Sequence, residues 1–216
     1  MLWMLSALAA GLTAFLIMPV HYRWIGHVGR KGMLLTKVLP TLICAAFAGA
    51  ALVFRGAERY AWLVFIGLCI CAAADVMLSL HFVTGGALFL LGHLFYMAAF
   101  CTQQRPDQWT LVVFAAALVL LWLFVWQFRP RIQQPMLFAG VLLYSTALAM
   151  LLALSLPMPL RALSGRTALA ALGAVIFVLS DMGVCHGMLY RIPKKLDFVY
   201  LGIYYLAQLL LAISAF

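Results

Sequence analysis

The stretch CICAAADVMLSL, Cys69–Leu80, sets a carboxylate, Asp75, inside an almost unbroken apolar run; VIFVLSDMGVCHGML, Val175–Leu189, does the same with Asp181. The 216-residue chain around them is 68% hydrophobic and only 9% charged, with a mean hydropathy of +1.13. A water-soluble domain of this size cannot hide that many apolar side chains, because much of its surface stays wet. A bilayer accepts them. The two runs therefore read as parts of membrane-crossing helices, each needing ~20 mostly apolar residues.

Working outward, eight such segments are expected, at roughly 2–20, 33–54, 61–80, 86–102, 109–126, 136–156, 167–189 and 196–216. The joints between them, among them HFVTGG and YRIPKK, are too short to hold a soluble domain. Lipid requires every backbone group to pair within its own span, which favours helices, and the strict alternation of a barrel strand is absent. The fold class expected is an all-α integral membrane protein of eight transmembrane helices forming one polytopic domain, 1–216. The first segment lacks a basic leader and is followed by basic residues, so it reads as a permanent helix and not a cleaved signal peptide.

The formal net charge is +9, but no basic domain exists to carry a nucleic-acid partner. The basic residues sit at span ends, where they anchor helices and set orientation. The odd-numbered joints and the nearby start of the second span carry nine (Arg23, Arg30, Lys31, Lys37, Arg129, Arg131, Arg191, Lys194 and Lys195). The other side carries five (Arg55, Arg59, Arg105, Arg161 and Arg166). The positive-inside rule then puts the odd joints in the cytoplasm and both termini outside. The five cysteines, Cys44, Cys69, Cys71, Cys101 and Cys185, fall within spans. They read as small apolar filler and not as a disulfide framework.

A carboxylate at the centre of a span costs ~2.5–3.5 kcal/mol on insertion scales. Two of the chain's five acids are placed at such a cost, and ionisable groups at this depth read by default as functional. At ~1.5 Å per residue, Asp75 and Asp181 lie roughly 8 and 12 Å below the same face, on spans running in the same direction. Each acid-bearing span is followed by one with a polar stripe: His93 and Tyr96 after the first, Tyr200, Tyr204 and Gln208 after the second. This predicts two four-helix halves related by a parallel pseudo-repeat. A metal site is not expected. His81 and His186 follow the acids by six and five residues, which on a helix point roughly 120–140° away.

These residues resemble a known family. The Asp75 span, HLFY at 93–96, Ser180-Asp181, Tyr144-Ser145, Thr36-Lys37 and YYLAQ at 204–208 look like the YhhN-like eight-span membrane family, whose characterised members are lysoplasmalogenases. The resemblance runs from the second span to the eighth. Val38 stands where the family often has Pro, and Ala74 where it often has Gly. It implies hydrolysis of the vinyl ether bond of a lysoplasmalogen to a fatty aldehyde and glycerophosphocholine or glycerophosphoethanolamine. Asp75 and Asp181 would be the catalytic pair. Lys37, His93, Tyr96, Tyr144, Tyr200, Tyr204 and Gln208 would contact substrate, with no cofactor or metal.

The chemistry suits those residues on its own terms. A vinyl ether is cleaved by protonating its outer alkene carbon, which creates an oxocarbenium ion that water captures. Glycosidases face a similar cation with two carboxyls, one protonated and one charged. Lys37 and the basic residues near it would attract a phosphate. Two other classes compete: a proton-coupled transporter, which also needs intramembrane Asp and His, and a scaffold in which the acids merely pair with neighbours.

Overall fold

A computed structural model describes residue 11 and residues 30–190 and 193–216. Among the described residues there is no strand. The helices are α1 (Arg30–Phe54), α2 (Arg59–Leu80), α3 (Phe82–Gln103), α4 (Gln108–Trp126), α5 (Pro135–Ser155), α6 (Met158–Arg161), α7 (Gly165–Leu189) and α8 (Lys194–Ser214). All but the four-residue α6 are long and apolar enough to cross a membrane. The chain is an all-α, multi-pass membrane protein. Its helices match the second to eighth expected spans to within a few residues. The first expected span lies outside the described residues except for Gly11, as do Arg23, His21, His27 and Arg191.

One joint differs from expectation. HFVTGG, with its paired glycines, reads as a loop, yet α2 and α3 are separated by His81 alone. His81 is extended, with φ −142° and ψ 105°, and caps α2 at its end and α3 at its start. Gly85 is the reason the corner closes. A Cβ there would lie 2.3 Å from the Leu78 Cα, so only glycine lets the two backbones meet.

Helix starts follow from local chemistry. Asp107 accepts the Thr110 backbone N–H at 3.0 Å, and its own N–H donates to Thr110 Oγ1 at 3.2 Å. Ser164 and Thr167 repeat this reciprocal cap at α7, satisfying donors that the first helical turn leaves open. The same membrane face is fastened by Arg161, which pairs with Asp107 and donates to Gln104 Oε1 at 2.9 Å, and by Arg166, which pairs with Glu58 at 2.7 Å. Such exposed pairs are screened by water, so they set joints more than they stabilise them. On the opposite face Arg131 lies 3.5 Å over the Tyr190 ring.

Between helices in lipid there is little hydrophobic drive, and close approach of small residues takes its place. The α2–α3 pair closes where Gly67 sits under the Tyr96 ring and Gly92 under the Cys71 sulfur. The α7–α8 pair closes where Gly173 faces Ala207 and Leu211, and Gly183 faces Tyr200. Around these two hairpins α3 packs on α5, α8 on α1, α5 on α7 and α2 on α8, while α4 leans chiefly on α5. The interior where they converge is filled by fully buried Tyr96, Phe100, Phe177, Tyr205 and Leu211. Asp75 on α2 and Asp181 on α7 face into it.

Candidate active site

Asp75 is buried, with 2% of the residue exposed. Its Oδ2 accepts the Thr41 hydroxyl from α1 at 2.7 Å and the Tyr204 hydroxyl from α8 at 2.9 Å. Tyr204 is held in turn. Gln208, one turn on, donates through Nε2 to its oxygen at 2.9 Å, and Tyr96 of α3 donates to Gln208 Oε1 at 2.9 Å. A directed chain thus runs Tyr96 to Gln208 to Tyr204 to Asp75. Buried polar groups cost free energy unless satisfied, and here each donor has its acceptor.

Lys37 stands one turn before Thr41 and shares its face. It donates to Ser79 Oγ at 3.1 Å, and Ser79 donates to the Asp75 carbonyl at 3.2 Å. Ser79 thus links the ammonium to the backbone of Asp75. Tyr205 clasps the Lys37 backbone carbonyl at 2.8 Å, tying α8 to α1 at this level.

Asp181 has different company. Tyr144 of α5 donates to its Oδ2 at 2.6 Å, and His93 Nε2 of α3 stands 3.6 Å from the same oxygen. The Asp181 side chain is 11% exposed, whereas that of His93 is fully buried. His93 is caged by rings: Phe177 at 4.6 Å between centroids, Tyr144 at 5.7 Å and Tyr96 at 6.4 Å. Neither of its nitrogens makes a well-formed hydrogen bond among the described residues. Phe177 links the two groups, its ring centroid 4.6 Å from that of His93 and 5.6 Å from that of Tyr204. Among the described residues the side-chain donors to both carboxylates fall on Oδ2.

Of the residues singled out in the sequence, Lys37, His93, Tyr96, Tyr144, Tyr204 and Gln208 meet around the two carboxylates. Tyr200 does not join them. Its ring fills the gap left by Gly183, and its hydroxyl lies 3.5 Å from His186 Nδ1. It packs on α7 two residues from Asp181, and its carbonyl accepts the Ser180 hydroxyl at 3.2 Å. Thr41, Ser79 and Phe177 escaped sequence reading. Thr41 and Phe177 each stand four residues from a residue already singled out, Lys37 and Asp181, and that shared face was the available signal. Among the described residues no three His, Cys, Asp or Glu side chains gather as a metal-binding group.

The site is made by α1, α2, α3, α5, α7 and α8 together, so its matching in sequence must run the length of the chain. The profile of the YhhN family matches residues 32–215. The chain belongs to the YhhN family. Comparison with the curated proteins and with the solved structures finds no match. The YhhN match takes in both carboxylates and every partner described for them. Val38, one residue after Lys37, is buried in the core, and Pro40 lies within α1 without ending it. Ala74, before Asp75, is fully buried.

Proposed function

We propose that this YhhN-family protein is a lysoplasmalogenase, a hydrolase of the vinyl ether bond in single-chain phospholipids. The observation that carries the reading is the pair of intramembrane carboxylates, each braced on Oδ2 by hydroxyl donors from neighbouring helices. Family membership supports it. One carboxyl protonates the outer alkene carbon, and the other steadies the resulting cation and takes a proton from the attacking water. The hemiacetal then collapses to a fatty aldehyde and a glycerophospholipid head group. Lys37, beside Ser79, receives the phosphate. His93, Tyr96, Tyr144, Tyr204 and Gln208 shape the cavity. Tyr200 is left with the lesser task of packing.

The full span count belongs to this proposal too: residues 2–20 form an eighth crossing, in a bacterial cell within the inner membrane. Two four-helix halves fit the packing. Between the halves the α3–α5 contact is answered by the α8–α1 contact, and each half contains one close acid-bearing hairpin. The nine-to-five charge bias opens the site toward the cytoplasmic leaflet. A proton-coupled transporter is less favoured, because both acid-bearing helices run unbroken through 22 and 25 residues, whereas transporter sites usually interrupt theirs.

Purified protein incubated with an alkenyl lysophospholipid is expected to release one aldehyde per lipid, and its saturated ether analogue none. No aldehyde from the alkenyl lipid, with proton-coupled flux in proteoliposomes, gives the transporter reading instead.

A further inference from the structure

The hydrogen-bond chain behind Asp75 has a far end, and that end decides what the carboxylate receives. Thr41, Tyr96 and Gln208 are fully buried and Tyr204 nearly so, so each must find its partners among its neighbours. A hydroxyl has one proton to give, while an amide has an accepting oxygen and a donating nitrogen. Thr41 has two acceptors in reach, Asp75 Oδ2 at 2.7 Å and the Tyr204 oxygen at 3.4 Å, and the shorter contact takes its proton. Tyr96 also has two, Gln208 Oε1 at 2.9 Å and the Cys71 sulfur at 3.6 Å. Sulfur is the weaker acceptor, so the Tyr96 proton goes to the amide oxygen. The amide then turns Nε2 to the Tyr204 oxygen at 2.9 Å. Among the described residues the acceptor left for the Tyr204 proton is Asp75 Oδ2, also at 2.9 Å.

The opposite arrangement uses the same atoms. With the amide turned over, Nε2 would donate to Tyr96 and Oε1 would take the Tyr204 proton. Asp75 would keep Thr41 as its hydroxyl donor, and the Tyr96 proton would be sent to sulfur. The two arrangements differ in one side-chain amide and two hydroxyl protons, which the network of partners must choose between. The acceptors at the two ends make the choice: a carboxylate and an amide oxygen in one case, an amide oxygen and a thiol in the other.

We propose that Tyr96, acting through the Gln208 amide, is a positioning residue that commits the Tyr204 hydroxyl to Asp75. Neither Tyr96 nor Gln208 bonds to the carboxylate. They set where Tyr204 sends its proton, and so whether one hydroxyl or two steadies a negative charge on Oδ2. In the low dielectric of the bundle, each bond of such a chain polarises the next. The inference rests on the reading of Asp75 as one of two working carboxyls and deepens it. It holds whichever acid gives the proton, because either role takes Asp75 through its charged form.

The test watches the carboxyl itself. The chain has four aspartates, Asp75, Asp107, Asp181 and Asp197, so full-length protein labelled with carboxyl-¹³C aspartate gives signals few enough to assign by Asp→Asn substitution. Spectra are taken in nanodiscs without substrate, at a pH where the Asp75 signal is that of a carboxylate. Tyr204→Phe is expected to move this signal, and Tyr96→Phe to move it the same way by less. In the Tyr204→Phe background, Tyr96→Phe is expected to move it no further, because the amide then has no hydroxyl proton to steer. Equal movement in both backgrounds, the mark of mere packing, overturns the proposal, as does no movement from Tyr96→Phe alone. Should Tyr96→Phe not fold, Gln208→Met takes its place in the cycle with the same pattern expected. In turnover, Tyr96→Phe is expected to lower kcat about fivefold, the scale of one hydrogen bond, and to leave KM as it is. An unchanged kcat overturns the positioning role. Failure of the vinyl ether reading shows separately, as wild-type protein in which the two tyrosines couple at Asp75 but no aldehyde is released.

Discussion

Asp75 and Asp181 occupy matching places in two hairpins, yet the protein furnishes them differently. Asp75 has two hydroxyls on one oxygen, a lysine nearby and a relay of Tyr96, Gln208 and Tyr204 behind it. Among the described residues Asp181 has one hydroxyl donor, an imidazole at 3.6 Å, and an apolar recess at its side. Under the proposed pseudo-repeat the partners come from equivalent helices. Thr41 on α1 answers Tyr144 on α5, and Tyr204 on α8 answers His93 on α3. Equal frames with unequal furnishing are what two-carboxyl chemistry requires, since one acid must give a proton while the other keeps a charge.

The comparison breaks most sharply if either acid proves dispensable. Asp75→Asn and Asp181→Asn are each expected to lower aldehyde release by about 10³-fold or more, the upper part of the range for acid–base groups, while thermal unfolding in detergent stays near wild type. Turnover within tenfold of wild type in either variant removes the pair from the mechanism.

The donors sharpen it next. Tyr144→Phe strips Asp181 of its one hydroxyl, whereas Thr41→Val leaves Tyr204 on Asp75. A hydrogen bond to a charged group contributes about 1.5–3 kcal/mol. Tyr144→Phe is therefore expected to cost ~10- to 100-fold in kcat/KM, and Thr41→Val distinctly less. Equal losses would mean that the two acids are furnished alike in solution.

Lys37 lies on the Asp75 side alone. Lys37→Met is expected to raise KM for the phospholipid about tenfold, the scale of one charge-assisted hydrogen bond, and to leave hydrolysis of the phosphate-free alkenylglycerol unchanged. A matching loss on both substrates would move Lys37 from head-group binding to support of Asp75.

The smallest effect concerns the two capping boxes. The Thr110 backbone N–H, aided by Arg161, holds the Asp107 carboxyl below the usual carboxylate range. Its contribution is present above the unfolded value near 4 and lost as pH falls through the lower folded one. Ser164 at α7 has no charge to lose. Thermal unfolding from pH 6 down to pH 3 is expected to show a slight acid destabilisation that Asp107→Ser reduces and Ser164→Ala does not.

Much of this was legible in the sequence, for a physical reason. Seven of the expected spans and both intramembrane acids stand out because lipid tolerates so few polar atoms that each one shows. Lys37, His93 and Gln208 were found the same way. Inward and outward faces were harder to tell. A helix apolar all round carries no stripe to say which side meets protein, so Thr41 and Phe177 were passed over. The turn at His81 was missed because glycine marks both loops and tight helix contacts, and only the neighbouring Leu78 backbone decides between them.

That turn has a consequence for what the protein can measure. Asp75 lies six residues before His81, about 9 Å along the helix axis. With a single linking residue and Gly85 pressed on Leu78, neither helix of the hairpin can slide past the other. The hairpin is a ruler whose zero is the membrane surface and whose mark is a carboxylate. Under the proposed function the protein reads where along a lipid a bond lies, so a chain with its double bond a few carbons deeper is passed over however reactive it is.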